Sequence, residues 1–290
     1  MRATLTAPAL SLPAASLSAA LLPPPGRAGR VHSIFRAAVN LEIESELIAV
    51  VARPSSRLPN GVHLADGPDF RAVGLRVDAP VLWLDGTIVL GDALLIDLRA
   101  AAPWSATLAV VGLASAEQLA SALRRGRATV PPAPLLAWPC RALLAALRSG
   151  DPARIAGAAG AMIGLGPGLT PAGDDALLGC LAVLQAAGHR LAGALATAVS
   201  AGARRTTPVS AALLRHAAAG RQAEPTGDLA GALLSASPGA IDAALSALLP
   251  HGATSGRDTA DGALVGLELL VGEPVRQTRL TAMPGERNRV

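Results

Sequence analysis

The residues best placed to do chemistry lie in one stretch, Met162-Ile-Gly-Leu-Gly-Pro-Gly-Leu-Thr-Pro-Ala-Gly-Asp-Asp followed by an Ala/Leu-rich run to Leu184. Gly164, Gly166, Gly168 and Gly173 crowd a short loop, and a helical pattern follows at once. Thr170 is suited to cap that helix, with Pro171 at its first position, where a missing N–H costs nothing. A glycine-rich turn feeding a helix N-terminus aims backbone N–H groups outward and so favours an anion. Asp174 and Asp175 then stand in the first turn. Such a carboxylate pair can complement the helix dipole, bind a cation, or accept a proton or amide hydrogen from a substrate. The plainer reading is a tight loop before a capped helix, which is written with the same residues.

Two later stretches weigh against the plainer reading. Arg204-Arg-Thr-Thr-Pro-Val-Ser repeats the Thr-Pro helix start at Thr207-Pro208, with Arg204 and Arg205 just ahead of it. Positive side chains beside a positive helix end call for an anion or a carboxylate between them, and Asp174 or Asp175 could supply it. In the third stretch, His251-Gly-Ala-Thr-Ser-Gly-Arg-Asp, Thr254 precedes Asp258 by the same four residues that separate Thr170 from Asp174. Three such helix starts meeting at one place would form an anion site bordered by carboxylates. Pointing in unrelated directions, they would be ordinary caps.

Composition narrows the chemistry. All 25 basic residues are Arg, which excludes a Walker A loop, a pyridoxal Schiff base and a lysine general base. The Arg residues are scattered, the formal net charge is only +4, and aromatic residues make up 2% of the chain, so nucleic acid is not an expected partner. Arg does suit planar carboxylates and phosphates. Cys140 and Cys180 lack metal-ligand spacing, and neither a metal nor an organic cofactor is expected. With no disulfide framework indicated, a cytoplasmic location is the default. No stretch reads as a membrane span.

The elements that must position these residues fall into two halves, an α+β architecture. Residues 1–29 read as a partly helical N-terminal extension, with a signal peptide as the lesser alternative. Residues 30–128 read as a β-rich domain, a small barrel or sandwich. Its expected strands include one alternating run over Leu41–Ile48 and others at Ala72–Val77, Ala93–Leu98 and Thr107–Val111. Two-residue hairpin turns are expected at Asp85-Gly86 and Asn60-Gly61. A short helix is expected at Ala116–Arg125. Residues 129–138 are a Pro-rich linker, residues 139–272 an all-α helical domain, and residues 273–290 a fraying tail. His63 is read as a half-exposed strand residue, and Arg221–Asp228 as a loop.

Taken together, the three motifs resemble the oxamate carbamoyltransferase subunit AllH family, and Val31-His-Ser-Ile-Phe-Arg-Ala-Ala-Val-Asn-Leu resembles its N-terminal signature. The likeness runs from about residue 30 to 270 and departs from the family pattern at Ala172, Ala176 and Ala253. It implies a subunit that works with two other subunits in anaerobic allantoin degradation. The reaction exchanges oxalurate plus phosphate with oxamate plus carbamoyl phosphate. Asp174, Asp175 and Asp258 are then the expected catalytic residues. Gly164, Gly166, Gly168, Thr170, Arg205, Thr206, Thr207, Thr254 and Ser255 are expected to bind the small anionic substrate. Two alternatives are carried: a small-molecule kinase, because Gly173-Asp174 resembles the anion hole of ribokinase-type kinases, and a non-catalytic anion-binding or assembly subunit.

Overall fold

The computed structural model describes residues 10–21, 26–52 and 56–272. The expected fraying tail and most of the Pro23–Gly26 run lie outside them. The N-terminal half is a closed barrel built from β1 (Leu10–Ser18), β2 (Arg27–Ile34), β3 (Ala38–Ile43), β4 (Glu46–Val51), β5 (Gly61–Leu64), β6 (Pro80–Leu84), β7 (Thr87–Leu90) and β8 (Leu94–Asp97). The hydrogen-bonded order is β5-β4-β3-β2-β6-β7-β8-β1, closed by antiparallel pairing of β1 with β5, and β9 (Ala102–Trp104) adds to β1 in parallel. Closure removes the open edges of a sheet, and Val31, Leu41, Val50, Val62, Leu64, Ile88 and Ile96 fill the interior at full burial.

Several local expectations change here. Leu10–Ser18 is not a helical extension but a barrel strand, paired with β8 and β5. Leu41–Ile48 is not one strand: β3 and β4 form a hairpin in which Ile43 faces Glu46, and Glu44 takes the left-handed turn position at φ 58°. A glutamate in that position leaves no glycine signal to read. Asn60-Gly61 is not a hairpin turn, since β4 and β5 run parallel with Ala49 opposite Gly61, and the Asn60 amide donates to the Leu47 carbonyl at 2.8 Å. Ala72–Val77 lies in turns, and in Thr107–Val111 only Thr107 makes a bridge, to Arg221. The Asp85-Gly86 hairpin is present, joining Leu84 to Thr87. His63 is buried, and desolvation beside Arg57 lowers its pKa to about 4.

The C-terminal half is helical: α1 (Ala116–Thr129), α2 (Ala137–Ser149), α3 (Pro152–Met162), α4 (Ala172–Ala186), α5 (Ala192–Gly202), α6 (Pro208–Ala218), α7 (Glu224–Ser235), α8 (Pro238–Leu248) and α9 (Ser255–Gly272). Helix α1 packs against α9, so it belongs with the helices and not with the strands, and the Pro-rich stretch after it contains a 3-10 turn at Pro134–Leu136. The segment expected as a loop up to Asp228 already enters α7 at Glu224.

Helix α4 is buried at every position except Gln185, the mark of a helix at the centre of its domain. One apolar cluster joins it to α2, α3, α5 and α6, and another to α1, α7 and α8. Its closest neighbour is α9. A Cβ on Gly179 would stand 1.9 Å from the Thr259 carbonyl oxygen, and one on Gly262 would stand 1.9 Å from that of Ala176. Further along, Gly266 faces Cys180 and Val183. The paired positions rise together along both chains, so α4 and α9 lie side by side in parallel. Their N-termini are at the same end.

The barrel and the helices are joined at Arg57 and Glu224. The Arg57 guanidinium meets the Glu224 carboxylate at 3.3 Å, and the Glu224 N–H donates to the Arg57 carbonyl at 2.9 Å.

Candidate functional site

The parallel packing of α4 and α9 brings Asp174, Asp175 and Asp258 together at one end of the helical half. All three carboxylates are buried. Carboxylates in first turns offset the positive ends of both helices, which explains in part how three can be tolerated there.

Asp174 binds three parts of the chain at once. Its Oδ1 accepts the Gly164 N–H at 2.9 Å, while Oδ2 accepts the Ser210 hydroxyl at 2.7 Å and the Thr206 hydroxyl. The glycine loop and the start of α6 are therefore tied to α4 through one side chain. Thr207 caps α6 by accepting from the Ser210 N–H at 3.2 Å, and its own hydroxyl donates to the Leu169 carbonyl. Asp174 thus meets the start of α6 through Thr206 and Ser210, but no carboxylate among the described residues pairs with Arg204 or Arg205. The Arg205 guanidinium instead donates to the Gly160 carbonyl at 3.0 Å.

The loop is bent by three left-handed glycines, Gly164 at φ 77°, Gly166 at 107° and Gly168 at 100°. Its N–H groups at Gly164, Leu165 and Gly173 are used inside the protein, by Asp174 and by the carbonyls of Met162 and Leu165. The exposed corner is Pro167, Gly168 and Leu169. Pro171, not Thr170, stands at the cap position of α4. That frees the Thr170 hydroxyl to meet the Ser255 hydroxyl of α9 at 2.7 Å.

The Thr170 and Ser255 hydroxyls favour the ionised form of Asp175, yet its Oδ2 is buried with no partner among the described residues. Burial, reinforced by the charges of Asp258 and Asp174, pushes the Asp175 carboxyl well above its usual range in spite of those hydroxyls. Its protonated form is favoured. Asp258 is different: Arg257 donates to its Oδ1 from Nε at 3.0 Å and Nη2 at 2.7 Å, while Oδ2 is buried with no partner among the described residues. The third member of the cluster therefore keeps a cation beside it and a free acceptor oxygen. Thr254 is exposed, and its carbonyl accepts the Asp258 N–H at 2.9 Å.

Sequence reasoning missed Ser210, Arg257 and His251 Nε2. Ser210 could have been found as the residue three after the Thr207 cap, and Arg257 as the neighbour of Asp258 in Gly-Arg-Asp. The His251 Nδ1 stands 3.0 Å from the Leu248 carbonyl, and its Nε2 is buried without a partner. His216, outside the cluster, accepts from Arg221 at 3.0 Å, and desolvation beside Arg221 and Arg215 lowers its pKa to about 4.

Among the described residues no group of three His, Cys, Asp or Glu is disposed to hold a metal ion, and no helix is long and apolar enough to cross a membrane. A cavity of about 620 Å³ lies against the barrel between Gly74 and Ala93 and contains no motif residue.

Comparison with known families divides the chain where the fold does. Residues 9–103, the barrel, match the family model for the AllH family N-terminal domain, and residues 162–267, from the end of α3 through most of α9, match that for oxamate carbamoyltransferase subunit AllH. Neither the curated proteins nor the solved structures compared contain a match. Matched over both its barrel and the helical segment that carries all three motifs, the chain belongs to the AllH family of oxamate carbamoyltransferase subunits.

Proposed function

We propose that the chain serves, with two other subunits, in a carbamoyltransferase that exchanges oxalurate plus phosphate with oxamate plus carbamoyl phosphate in allantoin breakdown. The observation that carries this reading is the convergence of the glycine loop, the α6 start and the α9 start on Asp174, Asp175 and Asp258. Family membership supports the subunit role.

In the reaction a phosphate oxygen attacks the carbamoyl carbon of oxalurate, the bond from that carbon to the oxamate nitrogen breaks, and the nitrogen takes a proton. Those steps need donors for anionic oxygens and a proton source at the leaving nitrogen, and no covalent nucleophile. Asp175, whose protonated form is favoured, can hydrogen-bond as a donor and release a proton to nitrogen. In the reverse direction it takes the proton back. Asp258, with Arg257 on one oxygen, offers the other to a carbamoyl N–H. Asp174 has its oxygens committed to Gly164, Thr206 and Ser210 and acts as a positioning residue. The exposed turn at Gly166–Gly168 and the threonine hydroxyls at 170 and 207 border the anion.

The kinase alternative fits poorly. Ribokinase-type folds alternate strands and helices around a parallel sheet, and no strand lies between Ala116 and Gly272. The test is reconstitution with the partner subunits and measurement of carbamoyl phosphate formed from oxalurate and phosphate. Asp258→Asn should lower kcat by about 100-fold or more, on the scale of removing one oriented transition-state contact. Full activity in an assembled complex carrying Asp258→Asn would favour the non-catalytic assembly role.

A further inference from the structure

A second cavity, about 320 Å³, lies between the barrel and α6 and shares Thr206 with the carboxylate cluster. On the barrel side it is lined by Arg30 and His32 of β2, Glu42 of β3 and Glu46 of β4. On the helical side Arg204, Thr206 and the Pro208–Ala211–Arg215 face of α6 complete it. Its volume is at the small end of the roughly 300–1,000 Å³ typical of small-molecule sites.

The charges around it are sorted. Arg30 is already held by Glu42 at 2.6 Å and Asp78 at 2.5 Å. Arg204 and Arg215 have no carboxylate partner among the described residues, and neither has Glu46. Two uncommitted guanidinium groups from the helical half therefore share the cavity with an uncommitted carboxylate from the barrel. Guanidinium groups match a planar carboxylate through paired N–H donors. A glutamate on the facing wall cannot favour a simple anion, but it accepts an amide N–H.

We propose that this cleft is a subsite that takes up the organic acid beside, and before it reaches, the buried carboxylates: a small planar molecule with a carboxylate directed to Arg204 and Arg215 and an amide nitrogen directed to Glu46. Thr206, with its hydroxyl on Asp174, links the cleft to the buried carboxylates. The choice of acid rests on the transferase reading above, whereas the charge arrangement does not. Because one wall belongs to each half of the chain, the cleft also gives the barrel a part in the site.

The test is calorimetric titration of the full chain with oxamate, which carries a carboxylate and an amide, and with oxalate, which lacks the amide. Oxamate should bind, and the double variant Arg204→Gln/Arg215→Gln should weaken it by at least about tenfold. Glu46→Gln should weaken oxamate while leaving oxalate equal or tighter. Arg204, Arg215 and Glu46 are exposed, so the variants should melt like the parent chain. The proposal is overturned if the parent does not bind oxamate, if the double variant binds it undiminished, or if Glu46→Gln moves both ligands alike. Arginine-dependent oxamate binding in a chain that supports no carbamoyl transfer would sink the transferase reading and leave this site standing.

Discussion

The Ser210 hydroxyl at the start of α6 donates to the buried carboxylate of Asp174 at the start of α4, at 2.7 Å. With the Gly164 N–H on the other oxygen, this contact ties the Arg204–Ser210 motif to the glycine loop and its helix, and the Thr170–Ser255 hydroxyl pair brings in the third motif.

Removing that acceptor should cost stability out of proportion to its size. Asp174→Ala leaves the Gly164 N–H and the Thr206 and Ser210 hydroxyls without their acceptor. Hydrogen bonds to charged groups are worth about 1.5–3 kcal/mol each, so a loss on the order of 3 kcal/mol or more is expected from urea unfolding. Thr207→Ala, which removes one cap, should cost only about 1 kcal/mol.

Asp175 should behave in the opposite way. Burial pushes its carboxyl well above the usual range in the folded protein, and it ionises at the usual carboxylate pH once unfolded. The folded state then binds the extra proton, so this residue lowers stability as pH rises above the unfolded value of 3.8. Asp175→Asn keeps the shape and removes the ionisation. Melting at pH 8 should therefore occur at higher temperature in the variant, by about 2–4 °C for each kcal/mol relieved. The difference should vanish near pH 4. A lower melting temperature at pH 8 would contradict a protonated Asp175.

Gly179 and Gly262 set how closely α4 and α9 approach. Either changed to Ala would place a methyl 1.9 Å from a carbonyl oxygen of the other helix, and the two helices would have to separate. A loss of about 3 kcal/mol, at the upper end of overpacking costs, is expected, with weaker ligand binding because Asp175 and Asp258 move apart. Gly157→Ala on α3, where an added Cβ meets nothing within 4 Å, should instead stabilise by about 0.5–1 kcal/mol. Chemical denaturation of the three variants separates these outcomes.

Two histidines, His63 buried and His216 half-buried, should make the protein acid-sensitive. His63 and His216 have folded pKa values lowered to about 4, chiefly by burial, against 6.5 for the free side chain. The unfolded chain binds protons that the folded chain refuses, so stability should fall as pH drops from about 6.5 to about 4 and level off below. NMR titration checks this directly: both imidazoles should still be neutral at pH 5.5. Midpoints near 6.5 would contradict their burial.

Much of this arrangement was readable from residue types and spacing. The Thr207 cap and the Asp85-Gly86 hairpin follow local rules that nothing in the tertiary structure overrides. The α+β division followed from period-two patterning giving way to Ala/Leu-rich helical patterning. What stayed hidden depended on distant partners. Leu10–Ser18 carries a proline, Pro13, and weak alternation, and it becomes a strand because β8 and β5 pair with it. Glu44 turns the chain without glycine. The different states of Asp174, Asp175 and Asp258 could not be read from three similar Asp residues. They arise from which hydroxyls, N–H groups and guanidinium the fold brings to each.

The most direct test of the central claim is a thermal-shift series on the full chain with phosphate, carbamoyl phosphate, oxamate, oxalurate, and ATP with and without Mg²⁺. A ligand at 100 times its Kd should add about 2.7 kcal/mol of stability. Stabilisation by carbamoyl phosphate or oxalurate, lost in Asp258→Asn, is the predicted result. Stabilisation by ATP with Mg²⁺ alone, or by none of the small acids and phosphates, would contradict a carbamoyl-transfer site in this chain.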